Sequence, residues 1–353
     1  MKNNDILEEK YYDSMNFKTN PENIRQLKIL LNGVDTQEYS NNTICIFKSI
    51  FDFIYLIYLK NQKSFICYDI VKTRNICIIK NAHKTTITCF RYHFDNIKKR
   101  DLLMSISKYD NTIKIWEILK WNCLYTFQNI YTSGYLYSAC FLQKDDNIYI
   151  ISTNGIENNF MNSEPIKIFD FFGKNVKVLE NENNNSYYIE TYYNKNNNKI
   201  FILIGRFGYI EAYDYNQNKS LKKYEAARED NFHFKKRKII ISEQNNGNTF
   251  LIGLDKKFIE IWNFETGDLV NLLDLKGEDH KDICFWNDKY FFSISLNSIY
   301  LYDIKGNLIK ETMKNNNIFL IKKFLHPKYG ECLISLHSYD QISNCHLMLW
   351  ISD

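Results

Sequence analysis

The sequence predicts an all-β chain: a seven-bladed β-propeller of four-stranded antiparallel blades, closed by an N-terminal strand that completes the last blade. Three observations lead there. A hydrophobic–x–hydrophobic–aromatic segment recurs seven times, ending at Tyr68, Trp116, Phe169, Tyr213, Trp262, Tyr302 and Trp350. Successive copies lie 40 to 53 residues apart, an interval that suits a propeller blade. Around them stand short runs rich in β-branched and aromatic residues, with no 3.6-residue periodicity sustained over three turns.

Taken in order, residues 24–31 form a spare strand ahead of the first copy, which spans 65–69. The second repeat is the clearest, with strands at 87–92, 102–107, 112–117 and 123–127 bounded by Asn, Asp or Lys. The third repeat reads 136–142, 148–152, 166–171 and 176–179, and the fourth 187–193, 200–204, 209–215 and 221–224. The fifth reads 232–241, 249–254, 258–264 and 269–273, and the sixth 283–286, 290–295, 299–304 and 308–312. The seventh has only 318–324, 331–336 and 346–351, because the sequence stops three residues after Trp350. An incomplete blade would expose an unpaired edge, so the spare strand at 24–31 is expected to fill it. Residues 1–20 are then a flexible tail, and 21–353 one propeller domain.

Composition narrows the functional classes. Hydrophobic residues make up 45% and charged residues 24% of 353, as in a water-soluble globular chain. A balance of 45 Lys and Arg against 41 Asp and Glu gives +4, too weak to imply nucleic acid by itself. Nine scattered cysteines without a Cys-x-x-Cys pair fit a reducing, intracellular compartment; within it the cytoplasm is expected ahead of the nucleus. The first residues lack an apolar signal core, and the most apolar stretch, 51–59, is too short to span a membrane. Three prolines and twelve glycines leave the turns to Asn, Asp and Ser. Asn, Lys, Ile, Tyr and Phe all have AT-rich codons, so much of the 16% aromatic content reads as genome bias rather than as a stacking surface.

The order of strands resembles the WD-repeat family of seven-bladed propellers over nearly the whole chain. Only the second repeat carries most of the family's residues. Ala82-His83 stands where the family has Gly-His, Asp110 lies six residues before Trp116, and Ser105 lies on the preceding strand. The resemblance implies a buried hydrogen-bond network in which Trp116 reaches Ser105, Ser105 reaches His83 and His83 reaches Asp110. The family's hydroxyl position falls on Ile106; an extra residue in the Lys108-Tyr109 turn restores Ser105 to the role, with Ser107 as the other candidate. Most blades are expected to hold by aromatic packing alone.

No phosphate-binding glycine loop, Gly-x-Ser-x-Gly or His-Glu-x-x-His motif is present, and His83 has no second ligand at metal spacing. The expectation is therefore a non-enzymatic scaffold, with no cofactor and no metal, that binds a protein or peptide within an intracellular complex. The family places its partner-binding face at the turns between second and third strands and at those leading into first strands. Here that face would carry Lys84, Tyr109, Arg206, Lys256 and Lys257, with Tyr109 and Arg206 as the principal anchors and an acidic peptide as the partner. Two long excursions, 154–164 and 338–345, stand out, and Phe160-Met161 in the first is expected to enter a partner's pocket. The alternative is an acidic lipid headgroup or nucleic acid held by basic turns, above all Lys235-Lys236-Arg237-Lys238.

Overall fold

The computed structural model describes residues 21–34, 43–156, 163–179, 185–195, 197–226, 235–244, 247–275, 278–313, 317–338 and 345–352. The tail expected over 1–20 and the Phe160-Met161 tip lie outside them. A short 3-10 turn, Pro21–Asn23, leads into β1 (Ile24–Val34). The first blade is β2 (Cys45–Lys48), β3 (Ile54–Asn61), β4 (Ser64–Asp69) and β5 (Arg74–Ile79). The second is β6 (Ile87–Asp95), β7 (Arg100–Ser107), β8 (Thr112–Glu117) and β9 (Asn122–Phe127). The third is β10 (Tyr135–Lys144), β11 (Asn147–Gly155), β12 (Lys167–Asp170) and β13 (Asn175–Val178). The fourth is β14 (Tyr188–Asn194), β15 (Lys199–Gly205), β16 (Ile210–Asp214) and β17 (Lys219–Tyr224). The fifth is β18 (Lys238–Glu243), β19 (Thr249–Leu254), β20 (Phe258–Asn263) and β21 (Leu269–Asp274). The sixth is β22 (Asp282–Phe285), β23 (Tyr290–Ile294), β24 (Ser298–Asp303) and β25 (Leu308–Met313). The seventh is β26 (Asn317–His326), β27 (Gly330–Ser338) and β28 (Cys345–Ser352), to which β1 adds the fourth strand.

The closing pair is antiparallel and runs from Ile24 opposite Ser352 to Val34 opposite Cys345, with irregular register at three points. The protein is thus an all-β, seven-bladed propeller whose first strand seals the last blade. The one strand that departs clearly from the sequence reading is the first of the fifth blade, expected at 232–241. It begins only at Lys238, because Lys235 bridges back to Phe207 of the fourth blade and Lys236 turns inward to two carboxylates. Glycine-poor turns rely on other left-handed residues: Asn81, Asn111, Asn129, Asn198 and Asn218 all have positive φ, the conformation that asparagine tolerates best after glycine.

The apolar core lies in seven wedges between neighbouring blades. Strand alternation feeds two wedges from one strand. On β8, Ile113 and Ile115 pack toward the third blade while Trp116 packs toward the first. β20 repeats the arrangement, with Ile259 and Ile261 toward the sixth blade and Trp262 toward the fourth. The wedge between the seventh and first blades joins Leu320, Ile334 and Leu349 to Ile54, Leu56 and Ile66. Each fully buried Leu or Ile contributes about 1.5–3 kcal/mol, so the joint at the seam is built like every other.

Candidate docking surface

One register position organises the polar interior. Ser105, Ser152, Ser293 and Ser335 each lie opposite the residue two before their blade's aromatic. In the second blade the indole Nε1–H of Trp116 donates to Ser105 Oγ (2.9 Å), which lies 2.7 Å from His83 Nε2. His83 Nδ1 lies 2.7 Å from Thr112 Oγ1, and the Thr112 hydroxyl donates to Asp110 Oδ1 (2.6 Å). An indole can only donate and a carboxylate only accept, so the proton order through this chain runs one way, from Trp116 to Asp110. Asp110 is thus reached through Thr112, an intermediary the sequence reading did not include. Its Oδ2 accepts the backbone N–H groups of Lys84 (3.1 Å) and Thr85 (3.3 Å), tying two loops of one face together. Burial lowers His83 to about 4, against the opposing pull of Asp110, so the ring is neutral at neutral pH.

Other blades keep the serine and change its partner. In the seventh, Trp350 donates to Ser335 (2.6 Å) and His337 Nε2 lies 2.5 Å from that hydroxyl. In the sixth, His280 Nδ1 lies 2.6 Å from Ser293 Oγ, and in the third the Tyr131 hydroxyl takes the role beside Ser152 (2.9 Å). The fourth and fifth blades have Ile204 and Gly253 there, and put Glu211 and Glu260 on the facing strand. These buried carboxylates need cations. Arg206, expected as an exposed anchor, is the cation of the fourth blade and only 1% exposed. Its Nε and Nη2 reach Glu211 Oε2 at 3.1 and 2.7 Å, and its Nη1 donates to Ser186 Oγ at 2.7 Å. That corrects its assignment to the docking face. In the fifth blade Lys236 is 0% exposed and lies 3.0 Å from Asp255 and 2.7 Å from Glu260. Aromatic packing alone therefore does not hold these blades.

Charges also rivet the innermost strands. Arg91 of the second blade pairs with Glu190 of the fourth at 3.2 Å, passing over the third. Lys238 of the fifth blade pairs with Asp282 of the sixth, and Lys322 of the seventh approaches the same carboxylate at 3.7 Å. Burial brings Lys238 down to about 8, while Asp282 opposes the shift.

On the face formed by second-to-third-strand turns and by segments leading into first strands, aromatic rings alternate with ammonium groups. The Lys108 Nζ lies 5.0, 5.3 and 4.5 Å from the ring centres of Tyr109, Tyr135 and Tyr137. Lys235 Nζ lies 4.7 Å from the Tyr187 ring and 5.8 Å from Tyr137. Edge contacts join Tyr109 to Tyr135 (5.5 Å) and Tyr137 to Tyr187 (5.1 Å). Tyr109 is 43% exposed. A side chain on Gly155 would come within 2.8 Å of the Tyr137 ring, so glycine there lets that ring lie against β11. The two ends of the long excursion are pinned nearby: Asn154 Nδ2 donates to the Ser133 carbonyl (2.7 Å), and Glu164 accepts Ser133 N–H (2.7 Å).

Of the residues expected on this face, Lys84, Tyr109 and Lys256 are exposed and Lys257 is half-buried. Tyr135, Tyr137, Tyr187, Lys108 and Lys235 escaped the sequence reading, which had assigned the aromatics largely to codon usage. The basic run is not a patch. Lys236 and Lys238 are buried in ion pairs, and Arg237 pairs with Asp279 at 2.5 Å. Among the described residues no three His, Cys, Asp or Glu side chains gather as a metal site requires, and no helix is long and apolar enough to cross a membrane. No family model matches the chain, and no curated protein matches it.

Proposed function

We propose that this propeller is a non-catalytic scaffold of WD-repeat type within an intracellular multiprotein assembly, and that it docks an acidic peptide on the Tyr–Lys face of its second to fourth blades. The observation that carries the reading is the cluster of Tyr109, Tyr135 and Tyr137 interleaved with Lys108 and Lys235, backed from beneath by the buried Tyr187. Tyrosine supplies large amphipathic contact area, and a lysine stacked on a ring has already lost much of its rotamer freedom. Together they favour a segment that presents carboxylates beside apolar side chains. The buried chain from Trp116 to Asp110 supports the family resemblance and stiffens the turn that carries Tyr109. The intracellular placement rests on the odd, dispersed cysteine set. Lys256 and Lys257 extend the positive character of this face into the fifth blade.

The reading is tested by selecting random peptides on the immobilised full chain and on the double variant Lys108→Ala/Tyr109→Ala. Acidic peptides should be enriched on the unaltered chain and bind the variant at least tenfold more weakly, with melting temperature unchanged. Enrichment without acidic residues, or equal binding by the variant, would contradict it. Anionic liposomes and RNA, titrated against salt, complete the experiment: tight binding with a steep salt slope would move the assignment to a polyanion.

A further inference from the structure

Cys67 and Cys77 lie directly opposite one another on β4 and β5, the two outer strands of the first blade. Opposed residues of an antiparallel pair point to the same face, and both cysteines pack into the wedge between the first and second blades. Their strand positions set the Cα atoms about 4.5–5.5 Å apart, inside the range of about 4.4–6.8 Å that a disulfide accepts. A third cysteine stands in the same row. Cys45 faces Ile57, and Ile57 faces Cys67. With Ile57 between them, Cys45 and Cys67 are two strand spacings apart, about 9–10 Å, too far to bridge. Among the three cysteines of this row the geometry therefore selects one pair, Cys67 and Cys77.

We propose that Cys67 and Cys77 form a thiol pair that hydrogen peroxide oxidises to a reversible disulfide, tethering the edge strand β5 to its blade. The two sulfurs have different parts. Cys77 is half-buried on the outermost strand, while Cys67 is fully buried. The hydrogen bond from Cys67 holds the Cys77 thiol below its usual range, and burial pushes Cys67 up. Cys77 is accordingly the attacking thiolate and Cys67 the resolving thiol. The Cys77 sulfur bonds to one peroxide oxygen as the O–O bond breaks; the departing hydroxide takes a proton and leaves as water. Cys67 then gives up its proton, and its sulfur displaces the hydroxyl of the Cys77 sulfenic acid, again as water. Two thiols lose two hydrogens and one peroxide becomes two waters. Thiol–disulfide exchange with a dithiol reverses the step.

The test treats the full-length protein with hydrogen peroxide, blocks remaining thiols by alkylation in denaturant, and maps the unreduced peptides by mass spectrometry. The expected result is a linked peptide pair carrying Cys67 and Cys77, with both protected from alkylation and both recovered after dithiothreitol. In Cys77→Ser, Cys67 should stay alkylatable at the same peroxide dose. Cys123 is the internal control: it is exposed on β9 but faces Trp116, so it should form no intramolecular link. Oxidation of Cys77 alone to sulfinic acid, a link from Cys77 to any other cysteine, or unchanged alkylation of both thiols would overturn the proposal. Because the readout is a covalent map of the unaltered chain, it does not depend on whether the variant folds.

Discussion

Lys236 and Arg237 are neighbours in one basic run, yet they contribute to the molecule in opposite ways. Lys236 sits without solvent between Asp255 and Glu260, whereas the Arg237 and Asp279 side chains keep 30% and 26% of their exposure. Removing one member of a buried ionic cluster strands the others, at about 3–5 kcal/mol, while a solvent-screened pair is worth about 1 kcal/mol or less. Lys236→Met should therefore lower stability by about 3–5 kcal/mol, and Arg237→Ala by about 1 kcal/mol or less, read from urea midpoints at unchanged slope. Similar losses for both would show that Lys236 is not enclosed. The alternation of inward 236 and 238 with outward 235 and 237 has the period of a strand, and it hid this split within an apparently uniform charge run. Arg206 was misplaced for a related reason. Its carboxylate partner, Glu211, is the fourth blade's replacement for a serine-centred hydrogen bond, and nothing in the sequence marks a cation and a carboxylate five residues apart as buried. The chain around His83 was more legible, because Ser105, Trp116 and Asp110 keep, apart from one added turn residue, the spacing of the family that the sequence resembles.

At the level of elements, strand alternation made the third strands easy to read and the segments leading into first strands hard. Third strands repeat one pattern seven times. Segments such as 235–237 are set by what they meet, here Phe207 and two carboxylates, so their own sequence does not define them. The proposed docking face is built largely from such segments, which is why Tyr135, Tyr137 and Tyr187 escaped a reading based on motifs. Packing between elements is testable at Gly253, which occupies the serine position of the fifth blade. A Cβ there would come within 2.7 Å of Ile210 Cδ1 on the fourth blade. Among the described residues Trp262 Nε1 has no acceptor, since glycine offers none. Gly253→Ala should destabilise by about 1–3 kcal/mol through overpacking. Ile210→Val, which removes the obstructing methyl, should recover part of that loss in the double variant, a coupling measurable in a double-mutant cycle. Strict additivity would mean that the fourth and fifth blades do not meet there.

At the scale of the whole molecule, the number of blades and the route of closure were both legible, because repetition is a global property that survives local erosion. A strand too many at the start and one too few at the end left a single economical solution. The structure adds that the seam between the seventh and first blades carries an apolar wedge like the others. Closure through β1 is the claim on which the rigid face and its proposed docking role depend, and hydrogen exchange followed by mass spectrometry measures it directly. The backbone amides of 24–34 that face β28 should, like those of β27, exchange far more slowly than an unfolded peptide, because both strands pair with β28. Exchange of 24–34 at the rate of an unfolded peptide, with β27 still protected, would contradict the account.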